Sequence, residues 1–272
     1  MEKDSALKYE KLQKRLKEMG RLVVSFSGGV DSTFLLAVAR EVIGDQVTAV
    51  TAAGRSVPEW EIEEAREFCR EKGIRHIVFS FDELEVDGFA DNPPDRCYHC
   101  KTAILQKVRE AAEQVDTVYT SREVRAYISA IAAASRRTNA VQEAGVISPL
   151  KEAGLTKAEI RQLSKEMGLA TWDKPSFACL ASRFAYEEPI TAEKLRMVEL
   201  AEKFLREHGF SQYRVRMHGS MARGEVLPED LERFLDPKLR QDFTGHMKDL
   251  GFTYTALDLD GYRTGSMNAT LK

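Results

Sequence analysis

Two groups of residues in this chain have the types and spacing to do chemistry. The first is Ser27-Gly28-Gly29-Val30-Asp31-Ser32, where adjacent glycines follow an apolar, β-branched run and precede a helix-forming stretch. Strand, glycine turn and helix start together make an anion cradle. Successive backbone N–H groups converge on the oxygens, the helix dipole adds partial positive charge, and the missing Cβ atoms admit a phosphate. Ser27 and Ser32 can donate to the same anion, while Asp31 suits Mg2+ held against it. The turn lacks the lysine and length of G-x-x-x-x-G-K-[ST] and the third glycine of G-x-G-x-x-G, which excludes both of those phosphate loops.

The second group is cysteine. Cys97 and Cys100 form a C-x-x-C pair where a polar, proline-broken stretch gives way to a predicted helix, and the start of a helix favours thiolates. Cys179 stands in a separate loop close to Arg183. Three thiolates from two loops suit an iron–sulfur cluster whose fourth iron stays open for a hydrosulfide. Zinc with His99 as fourth ligand, a redox dithiol, and separately buried inert cysteines are the other readings of the same residues. Cys69 lies on the apolar face of a predicted helix and is assigned to the core.

These groups must be positioned by the elements around them. Charged, amphipathic residues 6–19 predict a helix leading into the first strand. Strands are predicted at 22–25, 46–50, 76–79, 115–119 and 146–149, with helices between them over 31–39, 58–72, 97–114 and 123–137. Proline stops the strand at 146–149, and Thr156-Lys157-Ala158-Glu159 has the capping-box spacing that opens a helix to residue 167. Strands alternating with helices make βαβ units, hence a parallel sheet with its ligand site at the carboxyl ends of the strands. The pattern changes after the loop at 174–186. Beyond it come a helix (192–208), strands at 213–218 and near 224–227, helices from Pro228 and Pro237, and a strand at 254–257. Gly224 inside a strand predicts a weakening or a bulge. The fold class is α/β, a parallel-sheet domain over residues 1–186 followed by a smaller α+β domain over 187–272.

Composition narrows the function classes. Hydrophobic residues make up 43% of the 272 and charged residues 31%, as in an ordinary soluble globule. No apolar run approaches the ~20 residues of a membrane span and no signal-peptide core follows Met1, so a cytoplasmic protein without a membrane partner is expected. A net charge of −3 gives no global attraction to nucleic acid. Four cysteines in a reducing compartment favour metal or reactive thiols over disulfides.

The 27–32 turn resembles the S-G-G-x-D-S pyrophosphate loop of the PP-loop ATP pyrophosphatases, which split ATP between its α and β phosphates and adenylate a substrate oxygen. Further segments stand in the order found in the LarE family of sulfur transferases. They are Asp95-Arg96-Cys97-Tyr98-His99-Cys100-Lys101, Ser148-Pro149-Leu150, Pro175-Ser176-Phe177-Ala178-Cys179-Leu180-Ala181-Ser182-Arg183-Phe184, Arg214-Val215-Arg216 and Gly261-Tyr262-Arg263-Thr264-Gly265. The resemblance implies adenylation of a carboxylate on pyridinium-3,5-biscarboxylic acid mononucleotide, release of pyrophosphate, and replacement of the activated oxygen by sulfur. It implies ATP and Mg2+ on Ser27, Gly28, Gly29, Val30, Asp31 and Ser32. Asp31, Cys179 and Arg183 would be catalytic, and Arg214, Arg216 and Arg263 would hold the nucleotide phosphate, with Glu202 and Glu225 nearby. In one branch of the family the cysteine matching Cys179 gives up its own sulfur. In the other, cysteines matching Cys97, Cys100 and Cys179 hold a [4Fe-4S] cluster carrying an extra sulfide, and this chain has all three. A sulfide or other sulfur donor and a homo-oligomer are implied as partners. A tRNA thiolase with the same loop and cysteine trio is the alternative. Residues 120–140 depart from the family pattern: the expected G-[ST]-N turn, acidic pair and D-Y-R-P-G segment are absent.

Overall fold

Leu22–Ser25 (β1) is the strand from which the first half of the molecule is built. In the computed structural model, which describes residues 3–118, 126–129, 146–264 and 266, it is flanked on both sides by parallel partners. Val47–Gly54 (β2) pairs with Leu22–Ser25 in the register Leu22↔Val47 to Ser25↔Val50. Arg75–Phe81 (β3) adds to the outer side of β2, and Ala126–Ser129 (β4) pairs with β1 on its other side, giving the order β3-β2-β1-β4. A strand covered on both faces cannot alternate apolar with polar, and β1 does not. Leu22 and Val24 enter one apolar cluster while Val23 enters another with Val50 and Val108. The parallel α/β sheet expected from the alternation is thus observed.

Helix Val30–Ile43 (α2) leaves the carboxyl end of β1 and is buried along most of its length, from Phe34 to Ala39. Lys3–Met19 (α1) contributes Leu12 and Leu16 to the same core. Glu59–Glu71 (α3) adds Ala65 and Cys69, so Cys69 is core as expected. Arg96–Val118 (α4) covers the opposite face through Val108.

Three local expectations differ from the structure. The helix that begins at Arg96 runs through residues 115–118, where a strand is expected, because the helix formers of 107–114 are followed by no glycine or proline that would end it. Residues 126–129, expected to be helical, form the edge strand instead: Tyr127 and Ile128 are strand-prone and their backbone pairs with β1. The remainder of 119–145 lies outside the described residues. Pro149 begins the short helix Pro149–Ala153 (α5) instead of ending a strand, a position where its missing N–H costs nothing. Lys157–Glu166 (α6) has the predicted capping box, with the Glu159 amide donating to Thr156 Oγ1 and the Thr156 amide to Glu159 Oε2.

The chain divides into two compact units, Met1–Phe81 with Cys97–Ser176, and Asp82–Arg96 with Phe177–Lys272. In the second unit, Tyr213–His218 (β5) and Met221–Val226 (β6) form an antiparallel pair, and Tyr254–Leu257 (β7) lies parallel to Met221–Val226. Ala192–Glu207 (α7) and Pro237–Asp249 (α8) cover the sheet, with the Phe243 ring in contact with both Phe204 and Phe234. Gly224 marks no bulge, since the ladder runs through it from Val215 to Leu257. A Cβ there would come into van der Waals contact with the Phe243 ring at 3.4 Å. The segment Asp82–Arg96 joins this unit through backbone bonds, Ile190 N–H donating to Ala90 O (2.8 Å) and Glu187 N–H to Asn92 O (3.0 Å). Among the described residues no helix is long and apolar enough to cross a membrane.

Candidate active site

The loop after β1 is built for an anion. Gly28 sits at φ +67°, a left-handed conformation that side chains resist, with the Glu61 carbonyl and Ala65 at contact distance from where a Cβ would stand. Gly29 occupies the N-cap of α2 in extended conformation and makes no side-chain cap. The first intrahelical bond runs from Thr33 N–H to Gly29 O, 2.9 Å. The amides of Val30, Asp31 and Ser32 are therefore the free donors of a helix start, at the positive end of the dipole. Ser32 Oγ donates to Gly29 O (3.0 Å) and lies 3.1 Å from Ser27 Oγ. With the Ser32 proton committed, the Ser27 hydroxyl donates inward and can swing to a bound oxygen.

Contacts behind the loop fix its approach. Thr51 Oγ1 donates to Phe26 O (2.8 Å) and lies 2.8 Å from His76 Nε2. Because the threonine proton is spent on Phe26, His76 must be the donor and carry its proton on Nε2. Burial holds His76 down at about 4, so it is neutral at physiological pH.

Two lysines that sequence reasoning missed reach the loop. Lys157 Nζ meets Asp31 Oδ1 at 2.7 Å. Lys174 Nζ donates to Gly28 O (3.1 Å) and to Glu64 (2.9 Å), above the Trp60 ring. The capping box placed Lys157 at a helix start, but nothing in the sequence tied that start to a residue 126 positions earlier. Asp31, half-buried and already holding a cation, offers the hard oxygen that Mg2+ requires.

Cys97 and Cys100 lie in the first turn of α4, three residues apart and so on one face. Cys97 is exposed and Cys100 half-buried. Cys179 is exposed in the second unit, just before the 3-10 turn Leu180–Arg183. Cys69 is buried, and burial pushes its thiol up to about 12. By donor type the thiols of Cys97, Cys100 and Cys179, two exposed and one half-buried, suit a thiolate-bound cluster, and Cys69, sealed in the core, does not. Among the described residues no three histidine, cysteine or carboxylate side chains are gathered as a metal site.

In the second unit a buried charge network surrounds the segment that carries Cys179. Arg183, fully buried, places Nε and Nη2 on the two oxygens of Glu202 (2.7 and 2.8 Å). Its Nη1 donates to Ala178 O (2.6 Å), Cys179 O (3.3 Å) and Ser182 Oγ (2.9 Å). Glu202 also accepts the Val215 amide at 3.0 Å. Arg183 thus ties the backbone of the cysteine segment to helix α7 and strand β5.

Arg214 and Arg216 share one face of Tyr213–His218, as expected from their spacing. Arg216 is committed to Glu225 (3.0 Å) and to Ser182 O (2.8 Å), while Glu225 also accepts Arg223 and Ser266. Arg214 is held between the rings of Phe177 and Tyr262, about 5 Å from each. Burial, then neighbouring Arg183, lowers it to about 10, which still leaves it charged at neutral pH. Arg263 is 55% exposed and turned to Asp258 and Asp260.

Comparison with known proteins identifies relatives along the whole chain. Residues 7–132 match the family model described as asparagine synthase. Over 98% of its length the chain is 36% identical to the pyridinium-3,5-bisthiocarboxylic acid mononucleotide synthase of Lactiplantibacillus plantarum, 95% of which is covered. It is 36% identical, over 97% of its length and 98% of the relative, to an uncharacterised protein of Synechocystis. A tRNA-specific 2-thiouridylase of Microcystis aeruginosa is 27% identical over 84% of the chain and 75% of that relative.

Proposed function

We propose, because the chain belongs to the LarE family of PP-loop ATP pyrophosphatases, that it converts a carboxylate of pyridinium-3,5-biscarboxylic acid mononucleotide to a thiocarboxylate, a step toward the nickel-pincer nucleotide. The enzyme class, an ATP-dependent sulfurtransferase, follows from that membership. The observation that carries the reaction is the uncapped start of α2 after left-handed Gly28.

The substrate carboxylate oxygen attacks the α-phosphorus of ATP, the bond to the β-phosphate breaks, and pyrophosphate leaves. The amides of Val30, Asp31 and Ser32, with the Ser27 hydroxyl, stabilise charge on the departing oxygens. Asp31 is the residue to hold Mg2+, exchanging Lys157 for it. A sulfur nucleophile then attacks the acyl carbon and AMP leaves. Arg183 keeps the Cys179 backbone fixed on Glu202. Cys97, Cys100 and Cys179 would hold a [4Fe-4S] cluster, which when bound supplies sulfide; otherwise Cys179 itself is the sulfur source. Arg214, Arg216 and Arg263 are assigned to the nucleotide phosphate, in a homo-oligomeric enzyme.

The test is pyrophosphate release from ATP and Mg2+ with and without the biscarboxylic nucleotide. Release that depends on the nucleotide is expected; release indifferent to it overturns the reading. Cys179 of unchanged mass after turnover assigns the sulfur to a cluster, and loss of hydrogen sulfide from it assigns sacrifice. The likeness to a 2-thiouridylase favours tRNA as the second substrate reading, and tRNA-stimulated release would establish it. A net charge of −3 argues the other way.

A further inference from the structure

Arg96 is the one buried arginine for which the fold provides no acceptor among the described residues. Its side chain is 5% exposed, and both Nε and Nη1 are buried without a hydrogen-bond partner. Its guanidinium lies 4.7 Å from the centroid of the Tyr186 ring. The other buried arginines differ in kind: Arg183 and Arg216 each face a carboxylate, and Arg214 lies between two rings with an N–H on a backbone carbonyl. One aromatic face recovers only part of the cost of burying a cation whose N–H groups go unused.

The backbone that carries this side chain is held in place. Asn92, fully buried, donates from Nδ2 to Glu188 O (3.0 Å) and to Ala185 O, and the Arg96 amide donates to Pro93 O (3.1 Å). The segment 92–96 is therefore anchored against 185–188, and Tyr186 fixes one face of the guanidinium. A rigid, desolvated fork with open N–H donors binds an oxyanion. Arg96 is also the residue before Cys97.

We propose that Arg96, backed by Tyr186, is a substrate-binding residue whose guanidinium takes an oxyanion of the pyridine nucleotide, its ring carboxylate or its phosphate. The substrate's identity rests on the function proposed above; the oxyanion site does not.

The experiment is equilibrium binding to the full chain without ATP, using the biscarboxylic mononucleotide, pyridine-3,5-dicarboxylate and ribose 5-phosphate. Arg96→Met is expected to weaken nucleotide binding roughly 10- to 100-fold and Arg96→Lys less. The small probe whose binding falls with it names the oxyanion. Melting of the ligand-free protein separates binding from structure. Arg96→Met removes an uncompensated buried charge and is expected to melt no lower than wild type, while losing the upward shift that the nucleotide gives. Unchanged affinity for the nucleotide and both probes overturns the proposal, as does wild-type protein that binds none of them. A lower ligand-free melting temperature with intact affinity overturns it too, by making Arg96 structural. If Arg96-dependent binding persists while the nucleotide fails to stimulate pyrophosphate release, the proposed reaction falls and this site stands.

Discussion

The two units carry their positive charge by opposite means. In the first, the donors are backbone amides at the start of α2, with Asp31, Lys157 and the Lys174–Glu64 pair at the loop's rim. In the second, charge is carried by side chains sunk in the core and bonded to one another, Arg183 on Glu202 and Arg216 on Glu225. Backbone donors need no counter-charge and stay available to a ligand. Buried guanidinium groups must be neutralised by the fold itself, and what they gain is position. The loop of the first unit keeps its donors open, and in the second the Arg183–Glu202 pair holds the Cys179 segment still.

The largest effect that sharpens this contrast is on stability. Glu225→Ala leaves Arg216 buried without its carboxylate and should cost about 3–5 kcal/mol, read by denaturant unfolding. A loss below 1 kcal/mol would show the network to be dispensable. Asp31→Asn should do the reverse, lowering nucleotide-dependent pyrophosphate release roughly 100-fold or more while barely moving the melting temperature. Gly261→Ala is next. Gly261 has φ +69°, and a Cβ there would meet Val226 O at 2.8 Å, so backbone must shift where Tyr262 is delivered to Arg214. A destabilisation of about 1–3 kcal/mol is expected.

The pH dependence of the first unit is smaller. His76 binds its proton at about 4 when folded, against 6.5 ordinarily, because burial disfavours the charged ring. The unfolded chain therefore protonates first as pH falls. The contribution of neutral His76 is whole above 6.5 and is lost progressively between 6.5 and about 4. His76→Gln should flatten that part of the stability profile, and an unchanged slope would contradict the assignment. The smallest effect is Lys157→Met. Its pair with Asp31 is partly exposed, so the stability change should stay within about 1 kcal/mol, while the Mg2+ concentration needed for half-maximal release should fall.

The contrast also explains what could be read from the sequence. The cradle was legible because its chemistry lies in six consecutive residues, between a strand and a helix that announce themselves by pattern. The capping box at Thr156 and the C-x-x-C at the head of α4 were legible for the same reason. The network was not, because its partners stand 19 and 9 residues apart and charged side chains ordinarily face water. Nor could any local pattern show that Asp82–Arg96 belongs with Phe177–Lys272, since Asn92 is bonded to carbonyls more than 90 positions away. The edge strand Ala126–Ser129 was misread as helix because its pairing with β1 outweighs the alanine-rich context.

The most direct measurement is a single anaerobic turnover with ATP, Mg2+ and the biscarboxylic nucleotide, followed by mass analysis of the nucleotide and a count of AMP. A nucleotide in which sulfur has replaced one carboxylate oxygen, with one AMP formed per sulfur installed, is the predicted result. AMP and pyrophosphate formed while the nucleotide keeps all its oxygens, or sulfur appearing in tRNA instead, would contradict it.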